Sequence, residues 1–389
     1  MFYLGIDIGK FKHCFACINF DAEVLVDPTF FFNNRQGFDK LFAVVQTFSS
    51  NELLIGMESS GHYGDNLANF LVSKGYSVAL INPLVTNAKA KENIRKTKTD
   101  KMDSLLICRT LISGKFSCFS QAKFDLFAAK QLTRYYFQLS ESLNPYKNRL
   151  QKCLDHVFPE FNSLFKSKYS KPYFALLLRF GSAFNIANAR IDSLAKTIAC
   201  KGRGRSVLLD PYKLRNLARS SVGVHCDSLI MEIQHLIQNI NLIESQITQT
   251  RKKIEVMASL SNSPIFSIAG IGPITGMSII SEFGDISQFS SADKMVAFAG
   301  FDPAVYQSGG FNAEHTRISK RGSRFLRKAF YLVALPVTRF NPIFHDYYTL
   351  KRSQGKSHRC AQGHLIRKLC RVIFKLVKED ILFDSSALV

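Results

Sequence analysis

The sequence has no apolar run long enough to cross a membrane. Its best stretches, "YFALLLRF" and "AFYLVALPV", are much shorter than the run of about 20 apolar residues that a spanning helix needs, and they are typical of buried core helices. The N-terminal stretch "MFYLGIDIGK" carries an acid inside its apolar run and has no basic region before it, which is unlike a signal peptide. We therefore expect no membrane partner.

The number of cysteines is odd. Nine cysteines scattered through 389 residues do not make a disulfide framework, so we expect a reduced, cytoplasmic protein. Cys14 and Cys17 form a C-x-x-C on a strand-like stretch, but no second ligand pair accompanies them and a zinc site needs four ligands. We interpret this pair as structural.

Acidic residues are few compared with basic ones. The chain has 30 Asp and Glu against 51 Lys and Arg, which gives a net charge of +21. Such a cationic excess costs free energy in self-repulsion unless a polyanion is the usual partner. Nucleic acid is therefore the first candidate partner, and an anionic membrane surface is the second. The length and the 46% of apolar residues allow two or three domains.

The first segment alternates between strand and helix patterns. Three short apolar runs, "FYLGIDIG", "HCFACINF" and "EVLVDPTFFF", have turn residues at Gly9, Asp21 and Pro28 and predict an antiparallel meander. A helix, the strand "ELLIGME", a helix closed by Gly75, the strand "YSVALINP" and a mostly helical stretch over 84–111 follow. The order β-β-β-α-β-α-β-α is that of a ribonuclease-H-like sheet, so the predicted fold class is α/β followed by α.

The remainder is predicted to be mainly helical. Long helical patterns run from about Phe124 to Phe161 and from about His225 to Leu260, and we expect these helices to pack on each other or on a second subunit. The region between them, with the basic turn "KGRGR" at 201–205, is hard to interpret. In "FSIAGIGPITGMSII", Gly270 and Gly272 separate two apolar stretches as in a helix-hairpin-helix, whose backbone N–H groups can hold a phosphate. A tight helix connection would produce the same pattern.

Two aspartates, Asp100 and Asp103, stand in the basic stretch "KTDKMDSLL". Residues three apart on a helix share a face, so the two carboxylates repel each other unless a cation lies between them. Asp7 in the first strand and Glu58 at the end of "LLIGME" belong to strands that a ribonuclease-H-like sheet makes neighbours, with the late helix crossing their face. Four converging oxygen donors suit Mg²⁺ beside a phosphate. Any one acid alone would more often be a surface charge or a cap; Asp100 could begin a helix after Thr99.

The last segment is basic on nearly every turn. The stretch "RISKRGSRFLRK" and the tail "KRSQGKSHRCAQGHLIRKLCR" are usually interpreted as solvated faces, but two such runs in a chain of this charge favour a surface that follows phosphates. The arginine guanidinium can form bidentate hydrogen bonds with a phosphate. The predicted nucleic-acid contacts in this segment are Arg317, Lys320, Arg321, Arg324 and Arg327.

Several motifs resemble one known family. "GIDIGK", "GMESSGHYG", "TDKMDSLLICR", "AGFDPAVYQSGG" and "RISKRGSRFLR" are similar, in order and over nearly the whole chain, to those of the DEDD transposases of the insertion-sequence IS-one-ten family and of the related Piv-type DNA invertases. The resemblance implies an N-terminal RuvC-like domain over 1–122, a coiled-coil connector over 123–260 and a C-terminal transposase domain over 261–389. By position, the carboxylates of the DEDD set match Asp7, Glu58, Asp100 and Asp103.

The resemblance also implies a serine nucleophile, Ser308 in "YQSGG". A serine that attacks a DNA phosphodiester keeps the bond energy as phosphoserine, so that strands can be exchanged without hydrolysis. Mg²⁺ could supply activation by polarising the phosphate, and Gly309 and Gly310 would let the backbone approach DNA. Without the family, Ser308 would be a turn residue. His62 and His315 lie near the motifs, and we leave both outside the catalytic set.

Further partners follow from the resemblance. Members of the family are guided by a structured bridge RNA from the element's non-coding end, so base pairing would choose the sequence while the protein contacts shape and backbone. Nothing in the residues shows an RNA directly. Strand exchange across two duplexes needs several active sites, so we expect a homo-oligomer, a dimer or tetramer, joined through the long helices. Its place would be the nucleoid of a prokaryotic cell.

The predicted function is a Mg²⁺-dependent DNA transposase or recombinase with a covalent serine-phosphate intermediate. One alternative is a RuvC-like nuclease or junction resolvase in which a metal-activated water cuts DNA and Ser308 is structural. A second starts from "GIDIGK", which also resembles the phosphate loop of actin-like sugar kinases, although their second phosphate motif and adenosine site are not convincingly present. A third is an architectural nucleic-acid binder, which predicts steep salt dependence and no effect of Asp7→Ala or Asp103→Ala on strand chemistry.

Overall fold

The structure, a computed structural model, describes residues 1–58, 61–81, 83–90, 99–114, 116–119, 121–166, 168–199, 209–303, 307–308, 311–312 and 317–384. The predicted basic turn at 201–205 and His315 lie outside the described residues. The chain forms two compact units, one of Met1–Ala129, Ser267–Gly270 and Ile279–Val389, the other of Lys130–Phe266 and Ile271–Ser278. The division into three segments with boundaries at 122 and 260 stays a prediction.

The N-terminal part of the first unit has the predicted element order. Its elements are β1 (Phe2–Asp7), β2 (Lys12–Asn19), β3 (Val24–Phe32), α1 (Arg35–Val45), β4 (Leu53–Glu58), α2 (Asp65–Ser73), β5 (Ser77–Ile81), α3 (Pro83–Ala90), α4 (Asp100–Ile112) and β6 (Ser117–Phe119). In the described residues the sheet order is β3-β2-β1-β4-β5-β6. The first three strands are antiparallel, β4 and β5 run parallel to β1, and the short β6, which the sequence pattern did not predict, is antiparallel to β5. This is the expected ribonuclease-H-like arrangement.

The two faces of this sheet bury different side chains, because residues alternate between faces along each strand. One face carries Leu4, Ile6 and Phe15 against α1 and α2, in a core that includes Leu41 and Leu71. The other carries smaller side chains such as Ala16 and Ala79 against Ile107, Cys108 and Leu111 of α4. Both faces are therefore covered by helices, and the strand ends remain as the place for a site.

Pro28 corrects one prediction. We expected it in a turn, but it lies inside β3, whose pairing with β2 skips from Thr29 opposite Phe15 to Val26 opposite Cys17. Proline has no backbone N–H to donate, but an edge strand makes ladder hydrogen bonds on one side only. The irregular register at this point also leaves the missing hydrogen bond without a carbonyl that requires it. The edge strand can therefore continue through a residue that would break a central one.

The second unit is helical. Its elements are the main part of α5 (Gln121–Val157), a 3-10 turn at Pro159–Leu164, α6 (Lys171–Phe180), α7 (Ala183–Ala187), α8 (Ile191–Ile198), α9 (Pro211–Arg219) and α10 (Asp227–Ser259). The region that was hard to interpret thus supplies short helices, whose apolar sides join those of α5 and α10 in one core. The two long helices are confirmed and contact each other: Lys147 Nζ lies 3.1 Å from Glu244 Oε1, and Arg149 is paired with Glu232. A coiled coil stays a prediction.

The C-terminal elements are mainly helical as well. They are a 3-10 turn at Pro264–Ser267, α11 (Pro273–Phe283), a 3-10 turn at Ile286–Gln288, α12 (Ala292–Phe298), β7 (Gln307–Ser308), β8 (Phe311–Asn312), α13 (Arg324–Phe340), α14 (Pro342–Ser353) and α15 (His358–Glu379). Of the two apolar stretches around the G-x-G turn, only the second is an α-helix, so the helix-hairpin-helix is not confirmed. In the part of the chain that the structure describes, every helix is too short or too polar for a membrane span.

Candidate active site

Two of the predicted acids end neighbouring strands. Asp7 is the last residue of β1 and Glu58 the last of β4, and the parallel register pairs Ile6 with Met57, one residue earlier in each strand. Asp7 and Glu58 therefore come next to each other at the carboxyl end of the two strands, and both are half-buried. Glu58 Oε2 also accepts a hydrogen bond from Thr86 Oγ1 of α3 at 3.3 Å. The structure thus brings these two carboxylates to the same edge of the sheet.

The other two acids begin α4. Thr99 is its N-cap, with the hydroxyl accepting a hydrogen bond from the Met102 amide, and Asp100 and Asp103 lie in the first turn. Acids at this end interact favourably with the helix dipole and with the free N–H groups. The predicted start of a helix after Thr99 is therefore confirmed. The favourable interaction with the helix N-terminus explains in part why Asp100 and Asp103 occur at these positions. Asp100 is exposed and Asp103 is half-buried.

A glycine lets α4 lie directly on β1. A Cβ at Gly5 would stand 2.4 Å from the Ser104 carbonyl oxygen and 2.7 Å from the Cys108 amide nitrogen. The backbone of α4 therefore occupies the space that a side chain at position 5 would need. Cys108 Sγ lies 3.0 Å from the Gly5 amide nitrogen. This close approach brings the first turn of α4 to the end of the sheet that carries Asp7.

Cys14 shows that Asp7 and Asp100 share one environment. It lies opposite Asp7 in the β1–β2 register, and its Sγ is 3.8 Å from Ser104 Oγ of α4. Burial raises the pKa of the Cys14 thiol, the carboxylates of Asp7 and Asp100 raise it further, and the Ser104 hydroxyl and the Lys101 ammonium act in the opposite direction. Asp7 of β1 and Asp100 of α4 thus both lie close enough to Cys14 for their charges to affect its sulfur.

The donor set suits a hard divalent cation, although its side chains do not already surround one. All four acids offer carboxylate oxygens, the ligands that Mg²⁺ and similar ions prefer. Among the described residues, however, there is no group of three or more His, Cys, Asp and Glu side chains spaced to hold a metal ion. The backbone therefore brings the ends of β1 and β4 near the N-terminus of α4. Binding of a metal ion by Asp7, Glu58, Asp100 and Asp103 stays a prediction.

The C-x-x-C pair is structural, as expected. Cys14 faces Ser104 of α4, whereas Cys17 belongs to the core on the opposite face, with Phe15. Both cysteines are buried free thiols. Burial raises the pKa of Cys17 to about 11, so the thiol is protonated at neutral pH and is a poor metal ligand.

His13 is a site residue that the sequence pattern did not single out. It is only 1% exposed, and its Nδ1 accepts a hydrogen bond from the Gly9 amide at 3.2 Å, in the turn that directly follows Asp7. Burial lowers the pKa of His13, and an interaction with the Asn33 side chain partly opposes this. A neutral imidazole therefore holds the turn beside the acidic strand end. His62, which we left outside the catalytic set, contacts Tyr63 with the ring centroids 4.3 Å apart and the ring planes tilted by 41°.

Ser308 ends one strand of a small hairpin. The backbone of β7 pairs with that of β8, with Gln307 opposite Asn312 and Ser308 opposite Phe311. The residues between the two strands, Gly309 and Gly310, lie outside the described residues. The serine is thus placed at the turn end of a hairpin, as the sequence pattern indicates, and its role as nucleophile stays a prediction.

The basic segment after the hairpin folds against the stretch that precedes it. The Ser319 amide donates to the Asp302 carbonyl at 2.9 Å, the Ser319 hydroxyl donates to the Asp302 carboxylate, and the Lys320 amide donates to the Gly300 carbonyl at 3.2 Å. Ser323 then caps α13. The side chains of Arg317, Lys320, Arg321 and Arg324 are exposed.

Two members of the predicted nucleic-acid surface have internal structural roles. Arg327 Nη1 donates to the carbonyl oxygens of Arg321 and Gly322 at 2.8 and 3.1 Å, so its guanidinium holds the basic turn together. Gly270 has φ +102°, and a Cβ there would stand 2.6 Å from the Val337 amide nitrogen of α13. The close packing of a turn on a helix thus explains this glycine. At Gly272, in contrast, a Cβ would meet nothing within 4 Å.

Comparison with protein families identifies related sequences. A model described as "DEDD_Tnp_IS110: Transposase" matches residues 4–159, and one described as "Transposase IS116/IS110/IS902 family" matches residues 262–349. Together they cover well over half of the chain. The first span contains Asp7, Glu58, Asp100 and Asp103, and the second contains Ser308.

Curated relatives match over nearly their full length. The pilin gene-inverting protein of Moraxella lacunata is 24% identical over 389 residues, which cover 98% of each chain. The IS900 uncharacterized 42 kDa protein of Mycobacterium paratuberculosis is 29% identical, with 99% of this chain and 97% of that protein covered. The IS116 uncharacterized 44.8 kDa protein of Streptomyces clavuligerus is 22% identical, with coverages of 99% and 96%.

A solved structure, T. thermophilus RuvC in complex with Holliday junction substrate, matches 31% of this chain and 100% of that chain at 9% identity and a TM-score of 0.24. The DEDD designation of the matching family names four carboxylates, and a set of this kind suits a divalent metal ion. With its motifs in order and both spans matched, this chain belongs to the IS110 (IS-one-ten) family of transposases, enzymes that recombine DNA.

Proposed function

We propose that this transposase cleaves and exchanges DNA strands with Mg²⁺ through a covalent bond between a DNA phosphate and Ser308, at sites chosen by an element-encoded guide RNA. The observation that carries the proposal is the meeting of Asp7, Glu58 and the first turn of α4 at one end of the sheet, in a chain of a transposase family. Membership of this family speaks against the sugar-kinase and purely architectural alternatives.

The carboxylates would hold the metal. Asp7 and Glu58 would supply oxygens from the strand ends and Asp100 and Asp103 from the helix, a hard donor set that suits Mg²⁺. Mg²⁺, when bound, would neutralise negative charge on a DNA phosphate during strand transfer. The close contact of α4 with Gly5 would keep the two sources of carboxylates together while DNA is bound.

Ser308 would carry the covalent step. Its oxygen would form a bond to phosphorus while the bond from phosphorus to one sugar oxygen breaks, and the hydroxyl proton would end on the departing sugar oxygen. The phosphoserine would then be attacked by the hydroxyl of another strand, which restores the serine and joins the new strand. The bond count is unchanged at each step, so strands can be exchanged without water or a nucleotide cofactor.

The basic residues of the C-terminal part would position the DNA backbone. Arg317, Lys320, Arg321 and Arg324 are exposed on a turn that is fixed by its own hydrogen bonds, so their charges are available to phosphates. Arg327 would act by holding that turn, and Gly272 would leave the N-terminus of α11 accessible to a phosphate. Gly270 would contribute by allowing its turn to pack on α13.

The guide and the assembly complete the proposal. Base pairing by a bridge RNA would select donor and target, and the cationic surface of the chain would bind both nucleic acids through their backbones. Two duplexes require more than one active site, so the working form would be a dimer or tetramer of this chain. Such an enzyme would work at the nucleoid of a prokaryotic cell.

A trapping experiment tests the proposal. The protein is incubated with Mg²⁺, its guide RNA and a suicide DNA substrate that cannot be religated, and covalent protein–DNA adducts are separated under denaturing conditions. Wild type should form an adduct that Ser308→Ala lacks. Asp7→Asn should lower adduct formation by more than about a hundredfold, because loss of even an outer-shell partner of a metal costs about 10- to 100-fold.

Two controls separate the alternatives. Ser353→Ala removes another hydroxyl of the C-terminal part, one that donates to the Leu350 carbonyl within α14, and should leave the adduct in place. If Ser308→Ala cuts the substrate as fast as wild type while Asp7→Asn does not, the chain acts as a RuvC-like nuclease with a water nucleophile, and the serine mechanism is wrong.

A further inference from the structure

Exposed aromatic side chains stand beside the acidic end of the N-terminal sheet. Phe11, in the turn between β1 and β2, is 73% exposed, and Phe32, the last residue of β3, is 65% exposed. Single exposed rings are common on protein surfaces, but a group of them on one rim indicates a partner.

Two aromatic rings at this end of the sheet, Phe11 and Phe30, are each in contact with a lysine. Lys10 Nζ lies 4.9 Å from the centroid of the Phe11 ring, and Lys12 Nζ lies 4.3 Å from that of Phe30, the residue two before Phe32. We call Lys10, Phe11, Lys12, Phe30 and Phe32 the aromatic rim. A surface that alternates rings and ammonium groups suits a ligand with flat apolar faces and a regular negative charge.

Three members of the aromatic rim, Lys12, Phe30 and Phe32, lie on the same face of the sheet as Asp7. Phe30 is opposite Cys14, which is opposite Asp7, and Phe32 is opposite Lys12 in the same register. Paired residues and residues two apart point to one face, and Cys14 contacts Ser104 of α4, so this is the face on which α4 lies. Phe30 is two strand spacings from Asp7, which is about 10 Å.

The rim is held rigidly although its rings are exposed. The Asn33 amide donates to the Phe11 carbonyl at 2.9 Å, and the Asn33 side-chain amide donates to the Lys10 carbonyl at 3.2 Å. Lys40 Nζ donates to the Phe30 carbonyl at 3.0 Å. The β1–β2 turn and the end of β3 are thus tied to each other, so ordering the rings for a ligand costs little conformational entropy.

A second copy of the chain is a less suitable occupant. The rim lies at a sheet edge, where an added strand would be the usual partner, but Pro28 removes one donor of β3 and the register of β3 with β2 is irregular. Lysine side chains on an edge also oppose strand pairing. The same lysines favour a polyanion, and the chain as a whole carries a charge of +21.

We propose that the aromatic rim is a stacking platform for the bases of an unpaired nucleic-acid strand as it enters or leaves the acidic site. Phe32 and Phe11 supply the ring faces, and Lys12 and Lys10 neutralise the neighbouring phosphates. Stacking of this kind tolerates any base, because every base has a flat face. The inference deepens the proposed function, since it rests on strands being cut at Asp7 and Glu58, but its test measures binding alone.

Binding by the full chain tests the platform. Fluorescence anisotropy in EDTA, where no strand is cut, compares four labelled probes of equal length: single-stranded DNA, the matching RNA, an abasic DNA strand and duplex DNA. The double variant Phe11→Ala/Phe32→Ala should bind the single strand about tenfold or more weakly, since each stacked base contributes about 1 to 3 kcal/mol. Its affinity for the abasic strand and the duplex should match wild type.

Matched variants make the result specific. Phe20→Ala removes an equally exposed ring, 65% accessible, from the opposite end of β2 and should bind every probe like wild type. Phe32→Tyr should retain single-strand binding. Lys12→Gln should weaken binding of all four probes, because its contact is with the phosphate.

Several outcomes decide the matter. A loss confined to the DNA strand or to the RNA strand supports the platform and names its ligand. Unchanged binding by the double variant, or an equal loss on the abasic strand, would overturn it. A double variant that binds normally but no longer self-associates in sedimentation would assign the rim to a second copy instead. If the double variant loses single-strand binding while wild type forms no adduct with Mg²⁺, the platform stands and the proposed chemistry fails.

Discussion

The two faces of the N-terminal sheet differ in the residues that lie under a helix and in what those residues do. The face against α1 and α2 carries large apolar residues such as Leu4, Phe15 and Phe31. The face against α4 has Gly5 and Ala16 where α4 crosses, and it carries Asp7 at its end. The same strands therefore stabilise the domain with one face and bring a helix close to the acids with the other.

The difference teaches where substitutions should affect stability alone and where they should affect chemistry as well. Large side chains on the first face bury apolar area without touching the site. Small residues on the second face bury less but set the distance between strand and helix backbones. Mutations on the two faces should therefore separate the free energy of unfolding from DNA strand cleavage.

The largest effect on stability is expected on the first face. Leu71 of α2 is fully buried there, and Leu71→Ala should lower the free energy of unfolding by about 2 to 5 kcal/mol through lost burial and a cavity. Urea unfolding followed by circular dichroism measures this. Strand cleavage per folded molecule should be retained, and Leu71→Met, which conserves volume, should cost under about 1.5 kcal/mol. Loss of cleavage by folded Leu71→Ala protein would mean that the two faces are not separable.

A smaller effect on stability but a larger one on chemistry is expected at Gly5. The added Cβ of Gly5→Ala would collide with α4 backbone atoms 2.4 and 2.7 Å away, so the helix must shift. Such overpacking costs about 1 to 3 kcal/mol, and the shift should move Asp100 and Asp103 away from Asp7 and reduce strand cleavage.

Gly56 is a matched control for Gly5, because the two are paired in the register of β4 and β1. The three atoms nearest to a Cβ at Gly56 would all belong to the side chain of Leu111, the closest at 2.6 Å, and this side chain can turn away. Gly56→Ala should therefore cost less in both measurements. Equal losses of cleavage in the two variants would argue against backbone distance as the controlling quantity.

The smallest effect concerns pH and His13, which lies on the first face beside the acidic end. Burial lowers its pKa in the folded state from an ordinary value of 6.5, so the unfolded chain takes up the proton first as the pH falls. His13 should therefore contribute full stability above pH 6.5 and lose it as the pH falls toward the folded pKa, by less than about 1.4 kcal/mol per pH unit. Unfolding of wild type and His13→Gln across this range measures it. The chain has no tryptophan, so circular dichroism is the suitable probe. The same slope in His13→Gln would assign the effect to other groups.

Much of this fold was predictable from the sequence. Short apolar runs bounded by turn residues indicate β1 and β2, and Thr99 before Asp100 correctly predicts the start of α4. The four short helices of the middle region were not predicted, because each buries its apolar side only in a core shared with α5 and α10. Pro28 was wrongly placed in a turn, because whether a strand lies at a sheet edge depends on the other strands.

The site was predictable in its acids but not in what supports them. Asp7, Glu58, Asp100 and Asp103 can be selected by type and by element, and the structure brings the strand ends and the helix start together. The bonds of His13 to Gly9 and of Thr86 to Glu58 depend on contacts between elements, which local patterns do not encode.

The guanidinium of Arg327 has a consequence for how charge in this family is interpreted. Because its Nη1 donates to two carbonyl oxygens of the turn that precedes it, it supports that turn, and a lysine there would keep the charge but would lack the rigid, planar guanidinium that fixes both bonds. A charge-conserving exchange at this position is therefore not a neutral one. Engineering of DNA affinity through the basic residues should therefore leave Arg327 unchanged.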